Sequence, residues 1–79
     1  MRMKLIIRNA ADNTEISAEV DDSDSVNDVL VFASEYWKEQ NYSLVMKIGN
    51  RLISPSLLIS ETGLEDGDTV VIVPDPQGG

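Results

Sequence analysis

The sequence predicts an α+β roll, in which a mixed sheet of four to five strands packs against one helix. Segments with a two-residue apolar period occupy both halves of the chain, and one segment with a helical period separates them. A chain of 79 residues has room for a single core. The order strand, strand, helix, strand, strand (ββαββ) is therefore expected within one domain.

The first two strands should form a hairpin. Apolar side chains recur at every second position on either side of a turn, first at Met3, Leu5 and Ile7 and then at Ile16, Ala18 and Val20. Residues 9–14 supply the asparagine and aspartate that tolerate turn geometry. The two segments are therefore predicted to pair.

A helix should begin near Val26. Ser25 followed by Asp28 has the spacing of a capping box, in which the two side chains satisfy free amides of the first turn. The helical apolar stripe consists of Val26, Val29, Leu30, Ala33 and Trp37. Phe32 and Tyr36 flank this stripe, and we expect both aromatic rings to pack in the core.

The second half of the chain should contribute two more strands. One is predicted over residues 42–48, where Leu44, Val45, Met46 and Ile48 leave the register open because both faces are partly apolar. Residues 49–66 read mainly as loop and turn. The last strand is predicted over residues 69–73, because Pro74 and Pro76 cannot donate ladder hydrogen bonds. The expected organisation is a domain over residues 1–73 and an extended tail over residues 74–79.

Composition excludes several classes of function. The chain has no cysteine and no histidine, so we predict neither a metal site nor an enzyme. A net charge of -8 argues against binding nucleic acid or anionic membranes. The acidic excess is typical of a solubilising surface, and it is also compatible with basic partner proteins. Without an apolar leader or span near the start, we expect a cytoplasmic monomer.

Two stretches carry a resemblance to a known family. Residues 19–29 combine Glu-Val, a Ser-Asp pair, a serine helix cap and a following valine, as in the strand-to-helix passage of ubiquitin. Leu64, the turn after it, the strand from Val70 to Val73 and the terminal Gly78-Gly79 align with the end of ubiquitin without a gap. The chain thus resembles the ubiquitin-like proteins of the β-grasp fold over nearly its whole length.

The resemblance implies a function for the terminal carboxylate. In that family an activating enzyme adenylates the last glycine with ATP and magnesium and carries it as a thioester. A conjugating enzyme then passes it to amines of target proteins, and a protease can remove it. Gly78 and Gly79 would be the reacting end, since residues without Cβ enter narrow enzyme sites. The chain itself is expected to bind no cofactor.

The tail limits which enzymes could recognise this end. Pro74, Asp75, Pro76 and Gln77 stand where ubiquitin has leucine and arginine, so ubiquitin's own enzymes should not accept it. The Gly67-Asp68 turn, Pro74 and the glycine pair are also similar to prokaryotic sulfur carriers. A thiocarboxylate donor for cofactor or tRNA thiolation is therefore an alternative to a protein modifier. Gly-Gly by itself would equally fit a flexible end.

A third alternative is a binding module that is never conjugated. Ubiquitin relatives bind partner domains through the sheet face opposite the helix, and the matching positions here are Met46, Val71 and Val73. The three would form an apolar patch if Met46 points outward. If Met46 instead faces the core, the two valines are ordinary strand residues.

Overall fold

The fold is a five-stranded mixed sheet packed on one helix. The computed structural model describes residues 1–38 and 43–75. The elements are β1 (Arg2–Asn9), β2 (Glu15–Asp21), α1 (Val26–Trp37), β3 (Ser43–Ile48), β4 (Arg51–Ile53), a 3-10 turn (Ile59–Glu61) and β5 (Thr69–Asp75). The strand order is β2-β1-β5-β3-β4. The predicted α+β roll with a ββαββ core is therefore confirmed.

Strand pairing follows the hairpin predicted from the sequence. β1 and β2 are antiparallel, with Leu5 opposite Ala18. β5 returns to the centre of the sheet, where it runs parallel to β1 and antiparallel to β3. The chain between this parallel pair of strands passes through β2, α1, β3 and β4, and parallel neighbours require such a long connection. The first and last strands of the chain thus lie side by side.

The helix begins where its cap predicts. The Ser25 hydroxyl accepts a hydrogen bond from the Asp28 amide at 3.0 Å, and the Asp28 carboxylate accepts one from the Ser25 amide at 3.0 Å. Helix α1 ends at Trp37, because Lys38 adopts the left-handed conformation with φ of 57°. The Trp37 indole donates to the Thr14 hydroxyl and joins this helix end to the hairpin turn.

The core lies between α1 and the inner face of the sheet. Its members are buried apolar residues from all five strands, the helix, the 3-10 turn and the segment that follows this turn: Leu5, Ile7, Val20, Val26, Val29, Leu30, Ala33, Met46, Ile53, Ile59, Leu64, Val70 and Ile72. The predicted helical stripe is buried, with Trp37 packed at its edge. Each of these side chains leaves water, which is the main favourable contribution to folding.

Two sequence expectations about this core were wrong. Phe32 and Tyr36 are 43% and 56% exposed, so neither ring packs in the interior. They stack on each other instead, with ring centroids 6.5 Å apart. The short strand β4 was not recognised within the predicted loop, because three residues are too few to show an alternation.

Candidate functional site

Strand β5 leads from the centre of the sheet toward the terminal glycines. Pro76, Gln77, Gly78 and Gly79 lie outside the described residues, so the predicted extended tail stays a prediction. Four residues follow Asp75, and four residues can span at most about 14 Å. Any partner that contacts Gly79 must therefore also come close to the end of β5.

The prediction that the sheet ends at Pro74 was wrong. β5 continues through Pro74, opposite Leu44, and through Asp75, opposite Ser43. The Ile72 carbonyl accepts from the Ala10 amide. Because successive residues of a strand direct their N–H and C=O groups to opposite sides, Val73 faces β3, whereas the nitrogen of Pro74 faces the side where β1 has already ended. The missing N–H therefore costs no ladder bond.

The proposed patch residue Met46 does not face outward. Its side chain is fully buried at 0% exposure, and it lies opposite two other buried residues, Ile72 and Ile53. Directly opposed residues share a face of the sheet. This register places Met46 in the core and its neighbour Val45 on the outer face. The prediction that Met46 belongs to an outward-facing patch was therefore wrong.

The outer face carries an apolar surface formed by Val45, Val71, Val73 and Leu52. Val45 lies opposite Val73, while Lys47 lies opposite both Val71 on β5 and Leu52 on β4. The three valines are half-buried, and Leu52 is 69% exposed. We call these four residues the sheet-face patch. Val71 and Val73 were predicted for it, whereas Val45 and Leu52 were missed.

A signal in the sequence could have identified Val45. Lys47 is two residues away, and a lysine in a half-buried strand strongly favours the solvent face. Alternation then places Val45 outward and Met46 inward. The apolar side chains on both faces concealed this register.

The sheet-face patch has basic neighbours in a protein that is acidic as a whole. Lys47 lies among its members, and Arg8 lies opposite Val71 on the adjacent strand. The Arg8 guanidinium is itself bonded to Glu15, with an Nε to Oε2 distance of 3.1 Å. The sheet-face patch therefore has an apolar centre with Lys47 within it and an Arg8–Glu15 ion pair beside it.

Neither a metal site nor a membrane-spanning helix is found in the described part of the chain. Residues 1–38 and 43–75 contain no group of three or more potential metal ligands. Among the same residues, no helix has both the length and the apolar surface that a membrane span requires.

Comparisons with known proteins show the fold. No protein-family model and no curated protein sequence matches the chain. Ubiquitin from Caldiarchaeum subterraneum is similar at TM-score 0.86 and 21% identity, over 100% of both chains. The UBL domain of Plasmodium falciparum Dsk2 gives 0.83 and 13%, over 95% of this chain and 100% of that one. A structure described as molecular mimicry of SUMO that promotes DNA repair gives 0.79 and 18%, over 91% and 90%. The architecture is the ubiquitin-like β-grasp.

Proposed function

We propose, from the ubiquitin-like β-grasp fold and the Gly-Gly sequence that follows its central strand, that this chain is a protein modifier joined to target amines through Gly79. The observation that carries the proposal is the path of β5. This strand is held on both sides, by β1 and β3, and leads into the terminal residues with only Pro76 and Gln77 before the glycine pair. A rigid sheet would thus present a short reactive end.

The chemistry requires a partner enzyme, because a carboxylate is a poor electrophile. The Gly79 carboxylate attacks the α-phosphate of ATP in an activating enzyme, giving an acyl-adenylate and releasing pyrophosphate. A cysteine thiolate of that enzyme displaces AMP and forms a thioester. The thioester passes to a conjugating enzyme, and a target lysine amine finally displaces the thiol to form an isopeptide bond. The chain supplies the acyl group, and we propose no catalytic residue within it.

The tail would select the enzymes. Pro74 and Asp75 are both anchored in β5, so the recognition segment would consist of this strand end followed by Pro76 and Gln77, and it carries one negative charge at Asp75. An activating enzyme suited to this segment needs a cationic group near Asp75 rather than pockets for leucine and arginine. The cytoplasm is the compartment in which we expect the reaction.

Mass spectrometry of cells that make the protein tests this proposal. Trypsin cleaves after lysine and arginine, and the last such residue is Arg51. Conjugation therefore leaves residues 52–79 attached to a target lysine, rather than a Gly-Gly remnant. A chain lacking Gly79 is the matched control and should yield no such branched peptide. Finding none with the complete chain either would contradict the modifier function.

The sulfur-carrier alternative has its own supporting observation. Gly67 adopts φ of +90° in the turn before β5, and its amide donates to the Lys4 carbonyl at 2.7 Å. A glycine is favoured here for conformational reasons, and the Gly-Asp turn is part of the similarity to sulfur carriers. Hydrosulfide delivered by a partner would attack the acyl carbon of the adenylate and displace AMP, leaving a thiocarboxylate at Gly79. An intact mass that shows one oxygen replaced by sulfur at the terminus supports this alternative, and its consistent absence excludes it.

The binding-module alternative depends on the sheet-face patch alone. Removal of Gly78 and Gly79 should leave such a function intact, whereas it abolishes both functions that use the terminal carboxylate. Replacement of Val45 by a charged residue should abolish the function of a binding module. Measuring both variants against the same cellular phenotype separates these functions.

A further inference from the structure

The turn that precedes β5 contains an exposed Asp-Gly bond, between Asp66 and Gly67. The Asp68 amide closes this turn by donating to the Glu65 carbonyl at 3.0 Å, and Gly67 adopts φ of +90° within it. Residues 65–69 are all exposed, and no heavy atom lies within 4 Å of the point where a Cβ on Gly67 would stand. Water therefore has free access to both residues of the bond.

An Asp-Gly bond can rearrange without an enzyme. The glycine nitrogen attacks Cγ of the aspartate, and a C–N bond forms while the amide proton and a carboxyl hydroxyl leave together as water. The product is a succinimide ring. Water then adds to either ring carbonyl and gives aspartate again or isoaspartate, in which the main chain runs through Cβ and Cγ. Glycine favours ring closure because it has no Cβ to obstruct the approach.

Strand β1 holds both reacting groups in the folded protein. The Gly67 amide donates to the Lys4 carbonyl at 2.7 Å, and the Asp66 carboxylate accepts from the Lys4 amide at 2.7 Å. The first bond directs the N–H of Gly67 toward β1 and opposes loss of the proton, which the attack requires. The second directs the carboxylate toward Lys4. Ring closure therefore requires the turn to leave β1.

We propose that Asp66 is a modification site at which isoaspartate forms when the turn leaves β1, so that the two bonds to Lys4 set the rate. A reaction that follows rapid local opening depends on the population of the open form. A hydrogen bond of ordinary net strength lowers that population about threefold to tenfold, so two of them should slow the reaction at least about tenfold. This modification goes beyond the proposed conjugation, because neither an enzyme nor the terminal glycine takes part.

Isoaspartate at position 66 would alter the strand that leads to the terminal glycines. The modified residue adds one methylene to the main chain directly before Thr69, which is paired with Ile6 of β1. The Ile6 amide also donates to the Asp68 carbonyl at 2.9 Å. Both contacts depend on the length of the turn. The modified protein should therefore lose the first pairing of β5 with β1 and unfold at a lower urea concentration.

Ageing of the full-length protein at neutral pH, in buffer and in guanidinium chloride, tests the proposal. Endoproteinase Asp-N cleaves before aspartate and not before isoaspartate, so mass spectrometry of the digest gives the modified fraction at each site. In the unfolded chain Asp66 should react faster than Asp22 and Asp24, because serine follows each of these and its Cβ obstructs ring closure. In the folded protein Asp66 should react at least about tenfold more slowly than in the unfolded chain.

The dependence on denaturant identifies the opening that exposes Asp66. Release of one turn exposes little surface, so the rate at Asp66 should change little with guanidinium chloride below the unfolding transition. Exchange of the Gly67 amide with solvent, followed by NMR, measures the same opening and should show the same weak dependence. A steep rise of both rates in parallel with global unfolding would mean that the bonds to Lys4 do not set the rate.

Lys4→Pro removes the amide that bonds to Asp66, and Arg2→Pro is its matched control. The Met1 carbonyl and the Asn9 amide bond to the β2 side, so alternation directs the amides of Arg2 and Lys4 to the other side, where neither is part of the ladder with β2. Both residues are basic and exposed, but no described group accepts from the Arg2 amide. Lys4→Pro should accelerate isoaspartate formation at Asp66 about threefold to tenfold, and Arg2→Pro should not.

Three further results would overturn the proposal. One is modification of Asp66 as fast in the folded protein as in the unfolded chain. Another is an unfolded chain in which Asp66 does not react ahead of Asp22 and Asp24. The third is an equal rate in Lys4→Pro and Arg2→Pro. All are measured on unconjugated protein, so they are independent of the outcome for Gly79.

Discussion

At the scale of single residues, the register of β3 determines what each side chain does. Met46 and Val45 are neighbours of similar hydrophobic character, yet Met46 is fully buried and Val45 faces outward. We therefore expect Met46 to contribute mainly to stability and Val45 mainly to binding.

Met46→Ala should destabilise the fold far more than Val45→Ala. The first substitution leaves a cavity between α1 and the sheet, which costs about 2 to 5 kcal/mol for a buried methionine. The second removes strand propensity and partial burial, about 1 kcal/mol or less. Urea unfolding followed by the fluorescence of Trp37, the single tryptophan, measures both. Equal losses would mean that the register of β3 is wrong.

Asp21 gives the protein a specific response to acid. Its carboxylate accepts bonds from the Ser23 amide at 3.0 Å and the Ser23 hydroxyl at 2.8 Å. These bonds, first the backbone and then the side-chain one, lower the pKa of Asp21 from 3.8 to about 2. A pKa lowered by folding means that the ionised carboxylate stabilises the fold above pH 3.8, and that this contribution is lost as the pH falls toward 2.

Asp21→Asn should therefore flatten the decline of stability between pH 4 and pH 2, the interval bounded by the two pKa values. The measurement is the urea midpoint across this range. Glu35→Gln is the control, because Glu35 is exposed on the helix and bonds to no described side chain. If the Asp21 variant keeps the steep decline of the unmodified protein, the Ser23 bonds do not hold the carboxylate in its ionised form.

At the scale of elements, the end of β5 shows that the effect of a proline in a strand depends on whether another strand pairs on the side of its nitrogen. Pro74 would interrupt a central strand, but it lies where β5 is paired on one side only. The amide that can donate to β3 at this end of the strand is that of Val73.

Val73→Pro should destabilise the sheet, and Pro74→Ala should not. A proline at position 73 removes the amide that faces β3 and leaves a strand acceptor without its donor, which costs about 1 to 3 kcal/mol. Alanine at position 74 restores an N–H that needs no partner, and the expected loss is below about 1 kcal/mol, arising from the freer unfolded chain. The pair of urea midpoints provides the test, and a larger loss for Pro74→Ala would contradict the pairing described here.

Elements with a strong periodicity could be predicted from the sequence, whereas the short strand β4 and the register of the two-sided strand β3 could not. The helix was found from its cap at Ser25 and its stripe, and the β1-β2 hairpin from alternation. β4 spans only three residues, and the orientation of Met46 was left open because apolar side chains lie on both faces of β3, although Lys47 beside it indicates the register. Phe32 was misplaced because its flanking position does not show that β2 leaves a groove beside it. Of the candidate site, Val71 and Val73 followed from the sequence, whereas Val45 required the register.

At the scale of the whole molecule, two separate surfaces flank the central strands. The sheet-face patch with Lys47 and Arg8 lies on the face opposite α1, and a groove lined by Glu19, Asp24 and Asp28 lies between β2 and α1. The two surfaces therefore carry charged side chains of opposite sign. Fourteen acidic and six basic residues nevertheless leave a net charge of -8 on 79 residues.

This excess charge should make the protein more stable in salt. Raising NaCl from 0.15 M to 1 M shortens the Debye length from about 8 Å to about 3 Å, which weakens self-repulsion among the carboxylates. The described ion pairs, such as Arg2 with Glu19 at 3.6 Å, are exposed and contribute little that salt could remove. The urea midpoint should therefore rise with NaCl.

Glu35→Lys combined with Glu65→Lys changes the net charge from -8 to -4, and the urea midpoint of this variant should rise less. A midpoint that falls with salt would mean that the ion pairs outweigh the repulsion, and an equal rise in both proteins would assign the effect to a general action of the salt on apolar burial.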